Sequence, residues 1–130
     1  MFNKDQGEIK IGKIETIIGS SAEFKGDLIC KGSLRIDGKV EGRVISEDGI
    51  IVGENGRVKG NITAKYILIG GKVEGDLDAE GRVEILPTGQ LIGDIRSPRL
   101  IIAEGVVFEG SCEMLKEKPD AEIRIFKKQF

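Results

Sequence analysis

Three aspartates, Asp27, Asp76 and Asp94, each stand one position after a glycine. Carboxylates repeated at one place in a pattern are the raw material of glycan cleavage. There one carboxyl protonates the leaving oxygen while a second, about 5–9 Å away, attacks or activates water. The same place in three further segments holds Arg43, Asn61 and Ser111, and one Tyr with no Trp leaves no aromatic sugar platform. Polar residues just past a glycine corner are the simpler reading. The thiols of Cys30 and Cys112 are the other candidate nucleophiles, but the chain has no histidine. That removes the commonest general base, the Ser-His and Cys-His pairs and the usual transition-metal ligand. No catalytic or metal-binding residue is assigned.

Cofactor signatures are equally thin. Gly70-Gly71-Lys72-Val73-Glu74-Gly75-Asp76 looks like a calcium-binding nonapeptide but occurs once, whereas such sites need regular copies because adjacent turns share each ion. Neither a P-loop nor a dinucleotide fingerprint is present, so no cofactor is expected. A formal charge of −2 argues against a nucleic-acid partner. No apolar run approaches the roughly 20 residues of a membrane span, and the start lacks a secretory signal pattern, which points to the cytoplasm.

The elements that would position these residues announce themselves as a repeat. A glycine with an apolar residue two positions before it and another two positions after occurs at Gly26, Gly42, Gly60, Gly75, Gly93 and Gly110, at intervals of 16, 18, 15, 18 and 17. One template at a near-constant period means one unit stacked on copies of itself. Within each unit the apolar positions alternate, as in Leu34/Ile36, Ile50/Val52, Ile67/Ile69, Val83/Ile85 and Leu100/Ile102. Period two with β-branched residues is a strand signal. Short runs broken by Gly-rich corners suit a coil that returns above itself, giving an all-β parallel β-helix of about six coils. Hexapeptide-repeat acyltransferases are similar in Ile, Val and Gly content, but their six-residue period and histidine base are missing here.

Three details follow from stacking. The template glycine sits inward, where a side chain would crowd the lumen, or at a corner that needs positive φ. Corner lengths vary at one place only, short at Gly38-Lys39 and Gly70-Gly71-Lys72, longer at Glu54-Asn55-Gly56, Pro87-Thr88-Gly89 and Ala103-Glu104-Gly105. The outward residues Lys25, Glu41, Lys59 and Glu74 alternate in charge up successive coils. Ile17, Ile51, Leu68 and Ile101 form an outward apolar stripe, interrupted by Arg35 and Glu84 and read as scattered surface aliphatics. Cys30 and Cys112 lie about five layers apart, too far for a disulfide, and read as small buried core residues.

A stacked coil has two open ends, and a β edge invites another chain unless something covers it. Residues 1–15 and 116–130 read as flexible tails flanking a β-helical domain at 16–115. Neither tail holds a strong amphipathic capping helix, although Ile123-Arg124-Ile125-Phe126-Lys127-Lys128 is a basic, apolar patch open to three uses: a membrane, a partner or the last coil. The last coil is among the most apolar segments of the chain. Ile17, Ile18, Phe24, Leu100, Ile102, Phe108 and Met114 are therefore the candidate contacts for end-to-end self-association. At the extreme terminus, Met1, Phe2 and Lys4 offer a weak membrane anchor that repetition along a polymer would strengthen by avidity.

Six glycine-centred coils closing with Phe108-Glu109-Gly110-Ser111-Cys112-Glu113-Met114, with short non-repeating flanks, resemble a bactofilin over residues 16 to 115. The resemblance implies a right-handed β-helix of triangular cross-section that polymerises through its terminal coils, without nucleotide, into non-polar filaments. It implies no enzymatic activity. It further implies a scaffold on the cytoplasmic face of the inner membrane that localises cell-wall synthesis or remodelling proteins and influences cell shape. Met1, Phe2 and Lys4 are similar to the family's N-terminal membrane-targeting motif, although Asn3 and Asp5 make this copy less basic. Two other classes stay open: a monomeric β-helical binding module, and an accessory domain of a glycan- or acyl-modifying enzyme.

Overall fold

A computed structural model describes residues 14–114 and 122–125. Seventeen short strands, numbered β1 to β17 along the chain, wind into a parallel β-helix with three strands per coil. One face stacks β1 (Ile14–Ile18), β4 (Ser33–Ile36), β7 (Gly49–Val52), the second halves of β9 (Ile62–Ile69) and β11 (Leu77–Ile85), β14 (Arg99–Ile102) and β17 (Glu122–Ile125). A second stacks β2 (Glu23–Lys25), β5 (Lys39–Glu41), β8 (Arg57–Lys59), β10 (Lys72–Glu74), β12 (Gln90–Ile92) and β15 (Val107–Glu109). The third holds β3 (Leu28–Cys30), β6 (Val44–Ser46), the first halves of β9 and β11, β13 (Ile95–Ser97) and β16 (Cys112–Met114). The expected architecture of about six coils is thus present, and the described residues contain no helix.

The core fills the lumen by columns. Leu34, Ile50, Ile67, Val83 and Leu100 stack in register on the first face, and Val44, Ile62, Leu77 and Ile95 on the third; all are at most 2% exposed. At the corner between third and first faces the inward residue is small, and the serines there satisfy the turning backbone. The Ser46 hydroxyl donates to the Gly32 carbonyl (2.8 Å) and accepts from the Asp48 amide (3.0 Å). Ser97 closes its own corner by donating to the Arg99 carbonyl (2.7 Å).

The template glycines form a column at the corner between the second and third faces, not in the lumen. All six have φ between +130° and +147°, and a Cβ on Gly42, Gly60, Gly75, Gly93 or Gly110 would strike the carbonyl of the glycine one coil before it. The variable corner lies between the first and second faces. The longer versions are tight turns, closed by Gly56 N–H to Gly53 (2.8 Å) and Gly89 N–H to Leu86 (2.8 Å). The short corners nest over them: Gly38 lies against the carbonyls of Gly19 and Ala22, and Gly71 against those of Gly53 and Gly56. Insertions therefore collect at one corner without disturbing strand register.

Beyond the last coil, β17 pairs in parallel with β14, matching Arg99 to Glu122 and Ile102 to Ile125. These four residues of the expected flexible C-terminal tail are thus a strand on the first face, while the expected N-terminal tail up to residue 13, with Met1, Phe2 and Lys4, lies outside the described residues.

Candidate functional site

Among the described residues the lumen ends at two rims. Apolar residues packed against the core but only half-buried are Ile18, Phe24, Leu28 and Cys30 at the first coil, and Ile102, Val106, Phe108 and Cys112 at the last. Every inward apolar residue of the second-face strands in between is at most 1% exposed. On that face the inward column runs Phe24, Val40, Val58, Val73, Leu91, Phe108 in unbroken register. An aromatic ring stands at each end and branched aliphatics fill the middle, because only an end layer leaves one side of the lumen free for a larger side chain. Each rim therefore presents a Phe within a ring of aliphatic and thiol groups.

The proposed contact residues divide by depth. Ile18, Phe24, Ile102 and Phe108 belong to these rims, Leu100 is 2% exposed beneath the seventh strand of its face, and Ile17 points outward at 63% exposure. Met114 ends β16. Leu28, Val106, Cys30 and Cys112 are rim residues that the sequence reading did not place there, although each occupies an inward position of a first or last repeat. The cysteines are half-buried rather than core, a correction that follows from their standing in end layers; burial nonetheless pushes the Cys112 thiol above its ordinary range. Ile29 on the first coil is outward and 71% exposed.

Asp76 and Asp94 are structural. Asn61 Oδ1 accepts from the Asp76 amide (3.1 Å), Asp76 Oδ1 from the Asp94 amide (3.1 Å), and Asp94 Oδ1 from the amide (3.0 Å) and hydroxyl (2.9 Å) of Ser111. Each side chain thus holds the backbone of the coil above it. Beside this column the third face has a shallow depression of about 320 Å³, along which Arg96 reaches Asp78 (3.7 Å) and Glu113 (3.4 Å). Carboxylates already engaged with backbone amides are poorly placed to act as acid and base, so the depression lends no support to hydrolysis.

Comparison with known proteins points to one family. The bactofilin family profile, described as polymer-forming cytoskeletal, matches residues 16–113. The chain is 50% identical over 104 residues to bactofilin BacN of Myxococcus xanthus, covering 80% of this chain and 92% of that one. It is 36% identical over 104 residues to bactofilin BacP of the same organism, covering 80% of this chain but only 43% of BacP, so it spans less than half the length of that relative. Among solved structures, it is similar to the Thermus thermophilus bactofilin reconstructed by cryo-EM as double helical filaments, with a TM-score of 0.68 at 34% identity, covering 75% of this chain and 97% of that one.

Proposed function

The chain belongs to the bactofilin family of polymer-forming cytoskeletal proteins, and from this premise we propose that its two rims join copies end to end, without nucleotide, into non-polar filaments. It is a structural protein, not an enzyme. The observation that carries the assembly reading is that the half-buried apolar side chains packed against the core all stand in the first and last coils. Fully burying one Phe contributes about 1.5–3 kcal/mol relative to leaving it exposed, and each rim offers a Phe together with aliphatic neighbours. The end layers of a stacked sheet add backbone groups that a second stack can pair.

Such filaments would serve as a scaffold at the cytoplasmic face of the membrane for cell-wall or cell-shape machinery. Attachment rests on Met1, Phe2 and Lys4, whose individually weak anchoring a polymer multiplies. Purified protein without ATP or GTP should form filaments visible by negative-stain microscopy and should pellet on sedimentation. Phe108→Asp should leave a folded, soluble species that no longer pellets alone or with anionic vesicles. Unchanged polymers in that variant would remove the contact from the C-terminal rim. Wild-type protein that stays a small single species at every concentration would overturn the assembly reading.

A further inference from the structure

We propose that residues 122–125 are a detachable cap on the C-terminal rim, holding one of its three sides closed until a second copy displaces them. The inference rests on the end-to-end reading above. Strand β17 covers β14 and neither of its neighbours β15 and β16. The cover shows at Leu100, which is 2% exposed beneath it, while Ile102 at the end of β14 and Phe108 and Cys112 on the other two faces are half-buried. In register, Ile123 and Ile125 pair with Leu100 and Ile102. Among the described residues β17 pairs with β14 alone, so what stands above the last coil there is a third of a coil.

A third of a coil makes a step. One strand layer is about 4.8 Å high, and a backbone hydrogen bond closes only when N and O are within about 3.2 Å. With β17 in place, an opposing rim resting on the step is held beyond that reach along β15 and β16. Competition for the edge follows from tethering. Only seven residues separate Met114 from Glu122, so the cap acts at an effective concentration in the millimolar range. A lone extended strand from another molecule cannot match that at micromolar protein. A complete rim brings three strand edges and Phe108 or Phe24 at once, and so can displace it. The cap therefore guards the edge against stray strands and raises the concentration at which filaments start.

The test uses the full chain with Cys30 and Cys112 replaced by alanine as reference. Ile101→Cys with Arg124→Cys joins register partners whose spacing of about 4.8 Å across paired strands suits a disulfide. Ile123→Asp with Ile125→Asp opens the cap by placing charge at the register partners of Leu100 and Ile102. Circular dichroism checks that each chain keeps its β signal, and sedimentation with microscopy reads the assembly threshold. The oxidised cysteine pair should raise the threshold at least about tenfold and return to the reference value on reduction, while the opened variant should lower it several-fold. Locked and opened chains that assemble at the reference threshold would overturn the cap and leave the end-to-end reading standing. If every chain, the opened one included, stays monomeric, the end-to-end reading fails and the cap with it.

Discussion

At Gly60 the chain needs both a conformation and a space that glycine alone supplies. Its φ of +142° lies where other residues are strained by about 1–3 kcal/mol, and a Cβ would strike the Gly42 carbonyl. Gly26 shares the conformation, at +130°, but begins the column, and the nearest atom to an added Cβ is a Phe24 ring carbon at 3.9 Å. Gly60→Ala should therefore destabilise the fold by more than the ~1–3 kcal/mol backbone contribution, and Gly26→Ala by about that contribution alone. Thermal unfolding of the two variants side by side checks this; equal losses would mean that the stacking of glycine on glycine carries no weight. The spacing of these residues was plain in the sequence, but their placement was not. An inward residue and a corner residue both interrupt a polar surface pattern, and only the three-dimensional path separates a crowded lumen from a positive φ. Asp27, Asp76 and Asp94 one position on were legible as a repeated position, while the service of Asp76 and Asp94 as acceptors for the next coil's amides depends on a layer spacing that the sequence does not state.

At the scale of the strand, segments of three or four residues fix their register through columns rather than through individual bonds. Lys25, Glu41, Lys59 and Glu74 stand in register as their alternation suggests, and Lys25 Nζ lies 4.0 Å from Glu41 Oε1. Exposed pairs of this kind contribute a few tenths of a kcal/mol. Lys59→Glu would line up carboxylates on three successive layers, and like charges directly opposite destabilise by about 0.2–1 kcal/mol per pair. Urea unfolding at low salt should show that loss, and about 1 M salt, with a Debye length near 3 Å, should restore most of it. A variant as stable as wild type at low salt would mean the column does not set register. The alternation that identified these strands also predicted the outward column Ile17, Arg35, Ile51, Leu68, Glu84, Ile101. It overstated their exposure, since Ile51 is only 7% exposed between Arg35 and Leu68. The seventh strand escaped notice because Glu122-Ile123-Arg124-Ile125 alternates like its relatives but is followed by no glycine, and four alternating residues alone are a weak signal.

For the whole molecule, the decisive property is that the stack ends twice, and each end carries a thiol that reports on its own rim. Cys30 stands in β3 of the first coil and Cys112 in β16 of the last. Both are half-buried in the isolated chain, so maleimide should reach both before assembly. Burial pushes the Cys112 thiol above its ordinary range; its reactive anion is correspondingly scarce at neutral pH, and its labelling should quicken as pH rises toward the shifted value. A polymer joined through both rims shields both cysteines at once, so peptide mass spectrometry should find the two labels falling together as the pelleted fraction grows. A dimer closed through the C-terminal rim would protect Cys112 and leave Cys30 open, and lateral bundling through the outward Ile17 or Ile29 would protect neither. Labelling of Cys30 that persists in pelleted material would thus take the N-terminal rim out of the filament, because no surface contact elsewhere on the stack closes that end of the lumen.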